Sequence, residues 1–262
     1  MAYQRFSLFP DSPSFKDLFS ARSLRYRWRN GDPVITTAIM AICFVVWAIE
    51  AVLFLVWPEG GNAFVNAGML LPATAVRHPW TFITSMFLHQ PTSLWHILFN
   101  MLTLWCVGPV LERMMGHWPY LALYVLSGLG GGAGLMVWAV CSPSGWKTAA
   151  YGASGALFGL FAAILVVYRR IGIDIRSMLI WMLINFLMPV ITPGIAWQAH
   201  VGGFIVGGVL AWLLVTGLYA FRGKSLTWRT TVYGITVFVV VVAIIVGCNA
   251  GNPLMHMSLL YQ

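Results

Sequence analysis

The sequence predicts an all-α polytopic membrane protein, and three observations carry that expectation. Only 8% of the 262 residues are charged and 60% are hydrophobic, whereas a soluble domain carries about 25% charged residues. Mean hydropathy is +0.81. Seven separate apolar stretches approach the ~20 residues that a transmembrane helix needs. No polar stretch is long enough to form a soluble domain, so a lipid solvent is the consistent surrounding.

The spans are expected at 34–57, 93–112, 118–140, 154–168, 177–192, 197–219 and 230–248. Residues 1–33 form a basic tail with no apolar core and no secretory h-region or cleavage site. The Lys and Arg residues set the orientation. All of them except Arg77 and Lys147 fall on the side of the N-terminal tail, which is therefore expected to be cytoplasmic, with the C-terminus outside. The net charge of +8 is thereby explained as topology, and no nucleic-acid partner is expected. The loop over 58–92 is too hydrophobic for a water-exposed connector. It is expected to lie in the outer leaflet or against the helices. The short loops and the lack of a targeting segment fit a bacterial plasma (inner) membrane.

Cys43, Cys106, Cys141 and Cys248 form no CxxC or Cys/His cluster, so no metal is expected. Cys141 and Cys248 fall near the outer ends of two spans. A disulfide between them is conceivable, but buried free thiols are the expectation. No organic cofactor is implied.

Polar residues at membrane depth are costly and usually functional. His96 and Asn100 lie four apart, hence on one face, in the outer half of the second span. Ser154 begins the fourth span between Gly152 and Gly155, where the backbone can turn sharply. A helix over 154–168 is only about 21 Å long, against a hydrocarbon core of about 30 Å. Ser154 is then expected below the outer surface, at the floor of a wet pocket that residues 144–153 dip to meet. His200 opens the sixth span. Gly203 and Gly207 there form a small-xxx-small face, matched by Gly155 and Gly159 on the fourth span. Packing through those faces would bring Ser154 and His200 together.

A serine hydroxyl needs a base to become a nucleophile, and histidine is the usual one. Acyl transfer also needs donors for the developing oxyanion, and His96, Asn100 and the Ser154 backbone N–H are at the right depth. None of the seven acids is placed to orient His200, so a Ser/His dyad is expected, with Phe158 stacking on the imidazole. The glycine-rich stretch 128–134 lacks the Lys and Ser/Thr of a phosphate loop. Residues 152–156 are not the Gly-x-Ser-x-Gly elbow of soluble hydrolases, because position 156 is Ala.

At these residues the chain resembles the rhomboid intramembrane proteases. Gly152-Ala153-Ser154-Gly155 is similar to the family's nucleophile motif, His200 with Gly202-Gly203 to its base motif, and His96-x-x-x-Asn100 to its oxyanion helix. Phe87-Leu88-His89 and Glu112-Arg113 with Gly116 match in place and order. The resemblance implies a six-helix core over 34–219, followed by a seventh helix and short outer tail in 220–262. It also implies a serine endopeptidase that cuts single-span membrane proteins within or beside the transmembrane helix, near the outer face. The fifth span would gate substrate access. Two positions differ from many rhomboids: Thr81 follows Trp80 where Arg is common, and Phe158 stands where Tyr is common. Two other classes remain open: a relative that binds membrane clients without cutting, and a transporter, which would show intramembrane charges or repeated halves.

Overall fold

The computed structural model describes residues 20–191 and 194–254. Most of the basic tail, including Arg5, Asp11, Lys16 and Asp17, the last residue of the expected fifth span, and the end of the C-terminal tail lie outside the described residues. Ten α-helices are described: α1 (Ala21–Arg29), α2 (Val34–Val56), α3 (Pro58–Gly68), α4 (Thr81–Thr84), α5 (Leu94–Met115), α6 (His117–Cys141), α7 (Ser154–Ile171), α8 (Arg176–Ile191), α9 (Trp197–Thr216) and α10 (Leu226–Asn249). Among the described residues the only β-type pairing is one antiparallel bridge between Leu70 and Ala150.

Six of these helices, α2, α5, α6, α7, α9 and α10, are long and apolar enough to cross a membrane. The expected fifth span is α8. Its 16 residues give about 24 Å. The expected order of seven apolar helices is present, with α8 the short one.

Two boundaries differ from expectation for identifiable reasons. The fourth span does not stop at Tyr168. Arg169 and Arg170 occupy the last turn of α7, and the helix ends at Gly172 with φ +75°. Long arginine side chains reach water from inside a helix end. At 18 residues, α7 is about 27 Å long, so the expected shortfall against the bilayer largely disappears. The seventh helix starts four residues early, because Ser225 accepts the Trp228 N–H at 3.2 Å and caps it.

Helix α6 is the buried centre of the bundle, and its glycine-rich stretch is the reason. A Cβ on Gly131 would meet the Ala199 carbonyl of α9 at 3.0 Å and Gly155 Cα of α7 at 3.5 Å. A Cβ on Gly203 would collide with the Gly155 backbone, and one on Gly207 with that of Gly159. Three backbones therefore meet where larger residues would hold them apart.

The 58–92 loop is ordered against the bundle. Leu70 and Ala150 exchange backbone hydrogen bonds at 3.0 and 2.8 Å. Phe82 and Met86 are buried over Gly132 and Gly128. All four cysteines are free thiols. Only Cys43 is buried; Cys106 and Cys141 are exposed, because they lie on faces that the bundle leaves uncovered.

Candidate active site

The N-terminal end of α7 is shaped by the turn before it. Gly152 has φ +123°, a conformation that side chains disfavour, and its N–H donates to the Ser85 carbonyl at 2.8 Å. The helical ladder begins with Leu157 N–H to the Ala153 carbonyl. The N–H groups of Ser154, Gly155 and Ala156 precede it and form the positive end of the helix dipole.

His200 lies in the first turn of α9. Its Nε2 is 2.9 Å from Ser154 Oγ. The close contact of α7 and α9 through Gly155, Gly203 and Ala199 produces this approach. His200 is 5% exposed. Its Nδ1 is buried with no hydrogen-bond partner among the described residues, so no acid orients the ring. Phe158, one turn below Ser154, stacks on it, with ring centroids 4.3 Å apart and planes inclined by 20°. Phe186 of α8 meets Phe158 edge-on at 4.3 Å.

His96 of α5 faces the same turn. A Cβ on Gly152 would lie 2.9 Å from His96 Nε2 and 3.9 Å from Ser154 Oγ. His96 Nδ1 accepts the Gln90 N–H at 3.0 Å. Asn100 donates one amide hydrogen to the His96 carbonyl at 2.8 Å, and its NH₂ group carries a second. Ser154, His200, His96 and Asn100 thus line one cavity of about 580 Å³, together with Tyr151 and Asn185. All eight residues singled out in the sequence lie at this place: these four, with Gly152, Gly155, Phe158 and Gly203 packed around them.

Sequence reasoning missed the second layer. Glu50 is an acid inside the apolar stretch 34–57, and nothing along the sequence marks its partner. Its Oε2 accepts the His89 N–H at 3.0 Å. Burial and then the neighbouring His96 push the His89 imidazole down to about 3. Burial raises the Tyr151 hydroxyl. Among the described residues no three His, Cys, Asp or Glu side chains converge as a metal ligand set.

A sequence model of the Rhomboid domain matches residues 76–217, just over half of the chain and all of this cavity's helical walls. The chain belongs to the rhomboid family of intramembrane serine proteases. YdcA of Bacillus subtilis (strain 168), named for the same family, is 32% identical over 190 residues, covering 70% of this chain and 89% of YdcA. The rhomboid protease GluP of the same organism is 30% identical, over 70% of this chain and 35% of GluP. Rhomboid-type serine protease 2 of Emericella nidulans is 31% identical, over 55% of this chain and 28% of its own length. The last two are much longer than the stretch they share. As a rhomboid, the chain is a multi-pass integral membrane protein.

Proposed function

We propose that this chain is an endopeptidase that cuts single-span membrane proteins within or beside their transmembrane helix, near the outer face, using a Ser154/His200 dyad. The 2.9 Å separation of Ser154 Oγ and His200 Nε2, inside an apolar bundle, carries the reading.

The chemistry follows from that contact. His200 Nε2 takes the Ser154 proton as Oγ attacks the scissile carbonyl carbon. The carbonyl oxygen becomes an oxyanion between the Ser154 N–H, His96 Nε2 and the second Asn100 amide hydrogen. Collapse expels the amine, which leaves with the proton held by His200. Water then enters, gives a proton to His200 as its oxygen attacks the acyl carbon, and His200 returns that proton to Ser154 Oγ as the acyl group leaves as a carboxylic acid. With no acid on Nδ1, Phe158 stacking holds the ring in register. Gly152, Gly155 and Gly203 allow the backbone to bring these groups together.

A scissile carbonyl within a helix is hydrogen-bonded and shielded, so the substrate must unwind first, and small or helix-breaking residues favour cleavage. Helix α8 is our candidate gate: it is short and contributes Phe186 and Asn185 to this region. The same reading assigns 34–219 to the protease core, 220–262 to the appended helix and outer tail, the N-terminus to the cytoplasm, and the chain to a bacterial plasma membrane.

A fluorophosphonate probe tests the dyad directly. Mass spectrometry should find the adduct on Ser154, and His200→Ala should abolish it. An adduct elsewhere, or one on Ser154 that forms equally fast in His200→Ala, would overturn the assignment. Separately, a crosslink between α5 and α8 should block cleavage of a membrane substrate while leaving probe labelling intact; unchanged cleavage would refute lateral access there.

A further inference from the structure

Glu50 and Trp47 stand three apart on α2, hence on one face, and that face holds the two peptide groups that flank the His89–Gln90 peptide. Glu50 Oε2 accepts the His89 N–H at 3.0 Å. Trp47 Nε1–H donates to the Gln90 carbonyl at 3.3 Å. Between these two contacts is the Gln90 N–H, and it donates to His96 Nδ1 at 3.0 Å. A backbone N–H can only donate. His96 Nδ1 must therefore present its lone pair, and in the neutral ring the proton sits on Nε2. Nε2 is the nitrogen that faces Gly152 and the Ser154 turn.

Burial gives this arrangement weight. Glu50 is fully buried at 0% exposure, yet its Oε1 has no partner among the described residues. A carboxyl kept for stability alone would fill both oxygens, since an unmet buried acceptor costs about 1–3 kcal/mol. The one hydrogen bond that the Glu50 side chain accepts among the described residues fixes the residue next to Gln90.

We propose that Glu50, assisted by Trp47, is a positioning residue for catalysis: it holds the His89–Gln90 peptide so that Gln90 locks His96 in its Nε2–H form. This rests on the reading of His96 as an oxyanion donor. The Nδ1–H form would point a lone pair at the oxyanion and repel it. Without the α2 grip the peptide can turn, and both forms of the ring become populated. Glu50 touches no reacting atom and acts through the loop.

The test uses the full chain in lipid nanodiscs with nitrogen-15 in its histidines. The His96 signals are assigned by their loss in His96→Phe. In the parent, Nε2 should be the protonated, pyrrole-type nitrogen and Nδ1 the pyridine-type one. Glu50→Leu should mix the two forms and lower kcat about tenfold with KM within about twofold, a smaller loss than the 10²–10³ that follows removal of an oxyanion donor. Glu50→Gln keeps an acceptor oxygen for the His89 N–H and should restore both the spectrum and kcat to near parent values. Trp47→Phe removes the N–H donor while keeping an aromatic ring and should give an intermediate loss of about threefold, a result that stands even where Glu50→Leu fails to fold. An unmixed Nε2–H spectrum and parent kcat in Trp47→Phe and in folded Glu50→Leu would overturn the proposal. An Nδ1–H ring in the parent would overturn it as well. A mixed spectrum in Glu50→Leu with parent kcat, alongside full activity of His96→Ala, would support the positioning contact and refute His96 as the oxyanion donor.

Discussion

Helix α5 carries a buried polar cluster at each end, about 24 Å apart, and the two are satisfied in opposite ways. At its C-terminal end, Glu112 is 1% exposed. Its two oxygens accept from the Ile35 N–H at 2.8 Å, the Thr36 N–H at 2.8 Å, the Thr36 hydroxyl at 2.6 Å and His117 Nδ1 at 2.7 Å. The other His117 nitrogen meets the Trp28 carbonyl at 2.9 Å. Two of the donors are orphan N–H groups in the first turn of α2, which this remote carboxylate caps. At the N-terminal end, around His96, the accounting is open. His200 Nδ1 and Thr103 Oγ1 are buried without partners among the described residues. Both ends use histidine and a polar neighbour in an apolar bundle. One holds helices together; the other keeps polar capacity for a further molecule, which is where real proteins tolerate such strain.

The sharpest way to test that contrast is to remove one member from each end. Ser154→Ala should lose essentially all cleavage, on the order of 10⁶-fold as for a serine nucleophile elsewhere. Its thermal unfolding in detergent should move by no more than about 0.5 kcal/mol. Glu112→Ala should do the reverse. It strands three or four buried donors and should destabilise the fold by about 3–5 kcal/mol, while molecules that remain folded label with a fluorophosphonate at the parent rate.

Gly203→Ala couples the two behaviours. The new Cβ falls on the Gly155 backbone, so α9 must move away from α7. Overpacking of this kind costs about 1–3 kcal/mol, and a shift of about 1 Å between Ser154 and His200 should lower kcat about 10²-fold. Phe158→Leu should act more mildly. It removes a ring contact worth about 0.5–1.5 kcal/mol and should lower kcat about tenfold or less, without altering probe attachment to Ser154.

The effect that is smallest near neutral pH is a pH dependence. The folded protein holds His89 neutral down to about 3, whereas the unfolded chain takes up that proton near 6.5. The unfolded state binds more protons, so this group's contribution to stability is complete above pH 6.5. It falls by about 1.4 kcal/mol per pH unit as acid is added, and levels off near pH 3. Comparing unfolding at pH 7 and pH 5.5 in the parent and in His89→Gln should show the slope reduced in the variant.

Much of this contrast was legible in the sequence at the Ser154 end, because its signals are local. Glycines beside Ser154 and His200, and the four-residue spacing of His96 and Asn100, survive as patterns along a helix. Phe158 was legible for the same reason, as a residue one turn from the nucleophile. The second layer was not legible. The Glu50 contact with His89 spans 39 positions, and Glu112 reaches α2 across 76 and 77; neither leaves a periodic trace. Glu112 could be placed only as part of a stretch that looks like other rhomboids. The expected end of the fourth span falls short because the apolar run closes at Tyr168, whereas the helix stops at the left-handed Gly172. The glycine stretch of α6 was weighed only as a ligand loop, and its value as the three-helix contact needed the fold.

The central claim is tested most directly by incubating the purified parent, Ser154→Ala and His200→Ala, each reconstituted in lipid, with a model single-span substrate and following its cleavage. The account predicts cleavage near the outer end of the substrate helix by the parent and none by either variant. Cleavage that persists in Ser154→Ala would contradict it.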